Sequence, residues 1–355
     1  RRPLLWLGGG ARHAGAAARR LLSLGFGLVT SCQGRGTVPE DHPRSVGSFT
    51  VSPPVAKLYA GCDALLAVGT RLRGNETLKY QLALPQPLYR VDADAAADNR
   101  GYANALFVHG DAGRVLGALA DRLEAGTHGR LVVDAGFGDD IAGARAAAEA
   151  ALVDGLGPYA ALLAAVRARY RPGDAWVRDV TLSNSIWGNR APSLQQPRAG
   201  VHALGGGIGQ GLAMGIGAAV AACRADQPST TWCLVGDGGF MLNPGELATA
   251  AQEGVRLVVL LMNDRGYGVI KNIQDAHYGG RKVYADLHTP DFGQLAASLG
   301  VAHQRVANAA ALDAALDVAV AAQGPVIVEI DMLGFGPFKT AFAGPPVKSA
   351  APKAA

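Results

Sequence analysis

The sequence predicts an α/β protein built from two doubly wound parallel-sheet domains, and three observations carry that expectation. Short apolar runs of strand length recur along the chain, each followed by a stretch with helical spacing. Glycines, 48 of 355 residues, gather at the junctions between the two. The length fits two domains of ordinary size, and 49% apolar against 17% charged residues is enough to bury a core in each.

In the first domain, residues 4–7 (Leu-Leu-Trp-Leu) read as a buried strand, 8–10 as a glycine loop, 11–24 as a helix and 28–31 as the next strand. A helix over 56–61, strands over 64–69, 88–92 and 105–108, and a helix over 111–123 continue the alternation, so residues 1–126 form a Rossmann-like unit. From 127 to 157 the composition shifts to Gly, Asp and Ala, which reads as a linker with one exposed helix over 141–152. A second domain is expected over 158–344: helix 159–170, strand 175–179, a glycine loop and helix 209–222, strand 231–235, helix 246–253, strand 257–262, helices 291–299 and 310–322, and strand 326–331. Residues 345–355 read as a small-residue tail with little fixed structure.

The charge balance, Lys+Arg 33 against Asp+Glu 29, leaves +4, too thin a bias for a nucleic-acid or anionic-membrane partner. Cys32, Cys62, Cys223 and Cys233 have no C-x-x-C spacing, so neither a disulfide framework nor a zinc site is expected and a cytoplasmic, reducing compartment is the simplest one. The longest apolar stretch, 205–222, is broken by glycines and Gln210, and no secretion signal opens the chain, so no membrane association is expected. A strand pattern that starts almost at Arg1, where no Met stands, points to a chain that begins inside a longer protein.

The sharpest chemical feature is Gly236-Asp237-Gly238-Gly239, a strand end delivering an aspartate into a glycine turn, followed after one helix and one strand by Asn263-Asp264-Arg265-Gly266-Tyr267-Gly268. In a parallel sheet neighbouring strands end at one edge, so Asp237 and Asp264 can face each other across a crevice. Glycines there let backbone N–H groups approach a phosphate, and two carboxylates with phosphate oxygens suit Mg²⁺. Each piece alone is only a turn; together, on consecutive strand ends, they read as a metal and diphosphate site.

Gly236-Asp237-Gly238, Glu246-Leu247-Ala248-Thr249-Ala250, Asn263-Asp264 and Gly266-Tyr267-Gly268 together resemble the cofactor signature of the thiamine-diphosphate enzymes of the acetolactate synthase, benzoylformate decarboxylase and pyruvate decarboxylase group. The resemblance implies thiamine diphosphate and Mg²⁺ as cofactors, with Asp237, Asp264 and the Gly266 carbonyl on the metal and Gly238 and Gly239 on the diphosphate. Most members carry asparagine where Asp264 stands here. The loop 205–211 resembles the one that threads between the two cofactor rings, with Ile208 holding the cofactor bent and a carbonyl near Gly206 accepting from the pyrimidine amino group. Ser183 and Asn184, after a strand end, stand where the family contacts the diphosphate. His202, and His277 with Tyr278, are close enough in sequence to line a substrate pocket, and residues 335–342 form either a lid or a wrapped tail.

The first domain resembles the family's middle domain through residues 34–43 (Gly-Arg-Gly-Thr-Val-Pro-Glu-Asp-His-Pro) and 69–72 (Gly-Thr-Arg-Leu). Some relatives bind FAD or ADP there. Here His13 stands where a dinucleotide fingerprint starting at Gly8 needs glycine, so neither nucleotide is expected. A P-loop reading of Gly334 to Lys339-Thr340 fails because Phe338 occupies the required glycine. The implied activity is decarboxylation or carboligation of a 2-oxo acid in a homodimer or homotetramer. The family's catalytic glutamate lies on a pyrimidine-binding domain that nothing in this sequence resembles, so no residue of this chain is assigned that role and the chain alone is expected to be inactive. The alternative is a non-catalytic cofactor-binding fragment, or a half-enzyme completed by a partner chain.

Overall fold

The computed structural model describes residues 1–126, 129, 131–225 and 228–344; the expected tail at 345–355 lies outside the described residues. The two-sheet α/β architecture is present. The first sheet holds β1 (Pro3–Leu7), β2 (Gly27–Thr30), β3 (Ala64–Val68), β4 (Leu88–Asp92) and β5 (Leu106–His109) in the order β2-β1-β3-β4-β5, all parallel. The second holds β6 (Ala175–Arg178), β7 (Gly200–His202), β8 (Thr231–Gly236), β9 (Leu257–Asn263), β10 (Ala302–Val306) and β11 (Val326–Asp331) in the order β10-β11-β9-β8-β6-β7, again parallel. The central strands are apolar and buried on both sides, as in β9, whose seven residues are all buried, because helices cover both faces.

In the first sheet the chain reverses its direction of travel once, between β1 and β3; in the second it reverses between β6 and β8 and again at the far edge, where β11 returns to lie between β10 and β9. Such switch points leave a crevice outside the carboxyl ends of the strands, where open α/β sheets bind ligands.

The expected exposed linker helix is corrected. A helix runs from Phe137 to Leu156, and Phe137, Ile141, Ala144 and Ala148 are buried in one core with Phe49, Val55 and Leu58. The spacing 137, 141, 144, 148 is one face of a helix. Its small side chains let it approach the helix Pro53–Ala60, so it serves as a cover of the first sheet. The continuous helical run Phe137–Arg169 is long and apolar enough to cross a membrane. Here its later residues Tyr159, Leu162, Leu163 and Val166 enter the core of the second sheet.

The motif at 34–43 joins the domains. Arg35 grips Glu40 through Nε to Oε1 at 2.8 Å and Nη2 to Oε2 at 2.7 Å, and its Nη1 donates to the Gly188 carbonyl at 3.1 Å. Glu40 Oε2 also accepts from the Leu194 N–H at 2.8 Å. Arg35 and Glu40 are both buried, and each is the other's charged partner. The segment at 335–342 wraps back on the start of the second domain. Phe338 stacks on Tyr159 with ring centroids 4.1 Å apart, and the Thr340 N–H donates to the Gly155 carbonyl at 2.8 Å.

Candidate cofactor and metal site

β8 and β9 lie side by side in register, Gly236 opposite Met262, so their next residues leave the sheet at one edge. That edge brings Asp237 and Asp264 together, and their carboxyl groups hydrogen-bond to each other. Asp237 is 1% exposed. Its pKa is pushed up to about 7, first by burial and then by the facing Asp264. Asp264 is raised as well, chiefly by burial, with the Lys271 ammonium opposing. Two carboxylates in contact repel once both are ionised, so below about pH 7 a proton is held between them in the bare protein.

Gly266 completes the arrangement. The Tyr267 N–H donates to the Ala285 carbonyl at 2.8 Å and the Leu287 N–H to the Arg265 carbonyl at 3.0 Å, with Gly266 paired antiparallel to Asp286. The alternation of an antiparallel pair turns both backbone groups of Gly266 away from that partner. Its N–H indeed reaches Asp237 Oδ2 at 3.0 Å, and its carbonyl points to the same side. Among the described residues there is no cluster of three or more His, Cys, Asp or Glu side chains able to cage a metal alone. Two carboxylates and a carbonyl that lack further protein ligands fit Mg²⁺ completed by phosphate oxygens, because this ion is held by one or two carboxylates plus substrate phosphates.

Backbone clearance at the same edge is tight. A Cβ on Gly238 would stand 2.6 Å from the Tyr267 ring, and one on Gly239 would stand 2.6 Å from Asp179 Oδ2. Asp179, which sequence reasoning missed, follows β6 at the switch point. Its Oδ1 accepts from the Val180 N–H at 2.7 Å and its Oδ2 from the Gly209 N–H at 2.8 Å. It thereby ties β6 to the loop 205–211 and to the start of the helix Gly211–Cys223. The signal was available: an acid directly after a strand, 30 residues before a glycine loop.

The loop itself is open to solvent. Gly205, Gly206 and Gly209 take φ of 71°, 79° and 88°, and Gln210 hooks its base by accepting from the Leu204 N–H at 3.0 Å and donating to the Leu204 carbonyl at 2.8 Å. Ile208 is 36% exposed at its tip. The other candidates are placed differently from one another. Ser183 is fully buried, and Asn184 turns its Oδ1 inward, 3.0 Å from where a Cβ on Gly188 would be. Thr181, two residues earlier, stands over the end of β8, its Oγ1 2.8 Å from the position of a Cβ on Gly236. His277 and Tyr278 end the helix Gly268–His277, ten residues or about 15 Å from the end that packs on Asp264, so they are not brought to the carboxylates. His202 lies at the end of β7, on the side facing the first domain. A cavity of about 500 Å³ flanks Asp264, walled by Leu182, Lys271, Tyr159 and Phe338, so the 335–342 segment lines it.

Comparison with known proteins identifies the family. Residues 182–330 match the family described as thiamine pyrophosphate enzyme, C-terminal TPP binding domain, and residues 1–119 match thiamine pyrophosphate enzyme, central domain. The chain is 36% identical over 275 residues to the probable 2-ketoarginine decarboxylase AruI of Pseudomonas aeruginosa, covering 77% of this chain and 48% of that protein. It is 26% identical over 342 residues to the acetolactate synthase isozyme 2 large subunit of Escherichia coli, covering 93% and 60%. It is 27% identical over 357 residues to a probable acetolactate synthase large subunit of Methanocaldococcus jannaschii, covering 93% and 57%. The chain thus spans about half the length of the curated relatives it matches. Carrying both the central and the C-terminal cofactor-binding domain, it belongs to the family of thiamine-diphosphate-dependent enzymes that includes the acetolactate synthases.

Proposed function

We propose that the protein carrying this chain is a thiamine-diphosphate- and Mg²⁺-dependent decarboxylase or carboligase of a 2-oxo acid, and that this chain supplies the diphosphate and metal half of its site. The observation that carries the reading is buried Asp237 facing part-buried Asp264 beside Gly238 and Gly239, two like charges that a divalent cation would reconcile at neutral pH. The names of the relatives, a 2-ketoarginine decarboxylase and acetolactate synthases, agree on 2-oxo acid chemistry and differ in the fate of the decarboxylated fragment.

In this reading Asp237, Asp264 and the Gly266 carbonyl hold Mg²⁺, and Gly238 and Gly239 let the diphosphate approach the backbone. Bound thiamine diphosphate supplies the carbon nucleophile and the electron sink of the reaction. Asp179 holds the loop 205–211 at a fixed height by its bond to the Gly209 N–H. Ile208 would support the bound cofactor with its aliphatic side chain, and the Gly206 carbonyl would accept a hydrogen bond from it. The glutamate that activates the pyrimidine comes from a further domain, in cis or in trans, within a homodimer or homotetramer.

The test is calorimetric titration of thiamine diphosphate into the Asp237→Ala protein with and without Mg²⁺. A loss of roughly 100-fold or more in Mg²⁺-dependent affinity is expected; coupled second-sphere groups alone cost 10–100-fold. Unchanged affinity would refute the assignment.

A further inference from the structure

The switch point of the first sheet carries the opposite charge. Outside the ends of β1 and β3, and closed on the far side by the second domain, lies a cavity of about 270 Å³ lined by Arg12, Arg71, Arg73, Glu76, His202 and Leu204. Arg12 is anchored, donating from Nε to the Gln33 carbonyl at 2.7 Å and from Nη2 to Gln33 Oε1 at 2.9 Å. Arg71 and Arg73 are exposed, and among the described residues neither guanidinium has a hydrogen bond or an ion pair.

Their placement is imposed by the backbone. Leu72 between them is fully buried and takes φ of 43°, a left-handed conformation that a bulky side chain rarely adopts. The Leu72 N–H donates to Thr70 Oγ1 at 3.2 Å, and Thr77 Oγ1 donates to the Arg73 carbonyl at 2.9 Å, so the turn is locked on both sides. Leu72 plugs the core while its two neighbours stay at the mouth. The acid in the wall is already engaged: Glu76 is buried, its carboxyl raised by burial, and Oε1 accepts from the Cys32 N–H at 2.8 Å. His202 is held down to about 4 by burial and the nearby Arg178, so it faces the cavity uncharged. The chamber therefore has a net positive lining, in which Arg73 also faces Glu76 and Arg71 has no ion pair among the described residues.

Two further facts fix the ligand class. The volume is below the ~300–1,000 Å³ of pockets that engulf whole drug-sized ligands, so the enclosed space suits a small acid. Leu204, in the cavity wall, is also the residue that Gln210 hooks at the base of the loop bearing Gly206 and Ile208. The cavity wall is therefore continuous with the base of that loop.

We infer that Arg71 and Arg73 bind a second acid group on the substrate, so that the substrate class is a 2-oxo acid with a distal carboxylate. This rests on the 2-oxo acid reading above. The chain, with thiamine diphosphate and Mg²⁺ present, would be titrated calorimetrically with 2-oxoglutarate, with pyruvate, with a 2-oxo acid bearing a cationic side chain, and with ADP. The dicarboxylate should bind at least tenfold tighter than pyruvate and the cationic acid should bind weakest; the Arg71→Gln/Arg73→Gln variant should lose that tenfold preference with an unchanged melting temperature. Equal binding of the two simple acids, a preference that survives the double substitution, or ADP binding more tightly through the same arginines would each overturn the inference. Asp237→Ala separates the two readings: it should abolish cofactor binding while 2-oxoglutarate still binds. Intact cofactor binding with no dicarboxylate preference defeats only the present inference, and a dicarboxylate preference without cofactor binding defeats only the earlier reading.

Discussion

Two charged pairs, one buried at the seam between the domains and one at the edge of the second sheet with Asp237 buried and Asp264 part-buried, are built on opposite logic. Arg35 and Glu40 are of opposite sign, meet in a two-pronged contact, and hand their remaining hydrogen bonds to the Gly188 carbonyl and the Leu194 N–H. Asp237 and Asp264 are of the same sign, and one of them must carry a proton for the two to meet. A pair that is complete within the protein is structural, whereas a pair that is incompatible with itself is waiting for an ion. The contrast separates scaffold from site without appeal to any relative.

The comparison breaks first at the seam. Replacing Arg35 by Ala leaves Glu40 buried and unpaired, and about 3–5 kcal/mol of stability should be lost on denaturant unfolding. A loss below about 1 kcal/mol, the range of exposed pairs, would mean that water reaches Glu40 and that the seam is not closed. Next comes the pH response of the carboxylate pair. Asp237 is raised from the 3.8 of an unfolded aspartate to about 7 in the fold, so its contribution is full below pH 4 and lost as pH rises through 7. Melting temperatures measured in a chelator should therefore fall between pH 5 and pH 8. Mg²⁺ with inorganic diphosphate should restore them, and Asp237→Asn, which relieves the repulsion, should flatten the fall. A melting temperature independent of pH and metal in the unmodified chain would place the pair with the seam.

A smaller effect sharpens the comparison at the switch point. In Asp179→Asn the amide can accept from the Val180 N–H or from the Gly209 N–H but not from both, so hydrogen exchange at Gly209 should accelerate by an amount equivalent to about 1–3 kcal/mol. Protection equal to the unmodified chain would show that the glycine loop holds itself. The smallest change is Ile208→Ala, at a half-exposed tip that no core depends on. Stability and Mg²⁺ binding should be untouched, while turnover in the protein carrying this chain falls roughly tenfold through loss of orientation. Equal turnover would mean that the loop does not set the cofactor's shape.

How much of the fold and the site is legible in the sequence depends on how strongly each element advertises itself. Strands such as 257–263, apolar throughout, and glycine turns such as 236–239 are readable because burial on both faces and close backbone approach each leave a composition. The stretch 141–152 reads as exposed because its buried face holds only Ile141 besides Ala144 and Ala148, and alanines mark a close helix contact as readily as an exposed stretch. The helix Gly268–His277 buries none of its residues fully, and its apolar face, Val269, Ile270 and Ile273, is confined to its first two turns. β10, Ala-His-Gln-Arg-Val, is an edge strand whose outer side faces solvent, and its polar sequence hides it. The pairing of Asp237 with Asp264 comes from strand order, which the alternation of elements implies. The roles of Asp179 and of Arg35 with Glu40 need contacts across 30 and more than 150 residues, and no local pattern contains those.

The stacking of Phe338 on Tyr159, with Thr340 bonded to Gly155, means that the chain comes into the second domain and leaves it at one place. A domain whose two ends meet can be lifted out and joined elsewhere with only a short tether, because no long path has to be bridged when the surroundings change. The thiamine-binding half of this protein is therefore shaped as a transferable cassette, one that recombination could attach to different companions without rebuilding its interior. The same closure makes it suited to relocated termini, with a new break opened in an exposed turn and the old ends fused across the Tyr159 clasp.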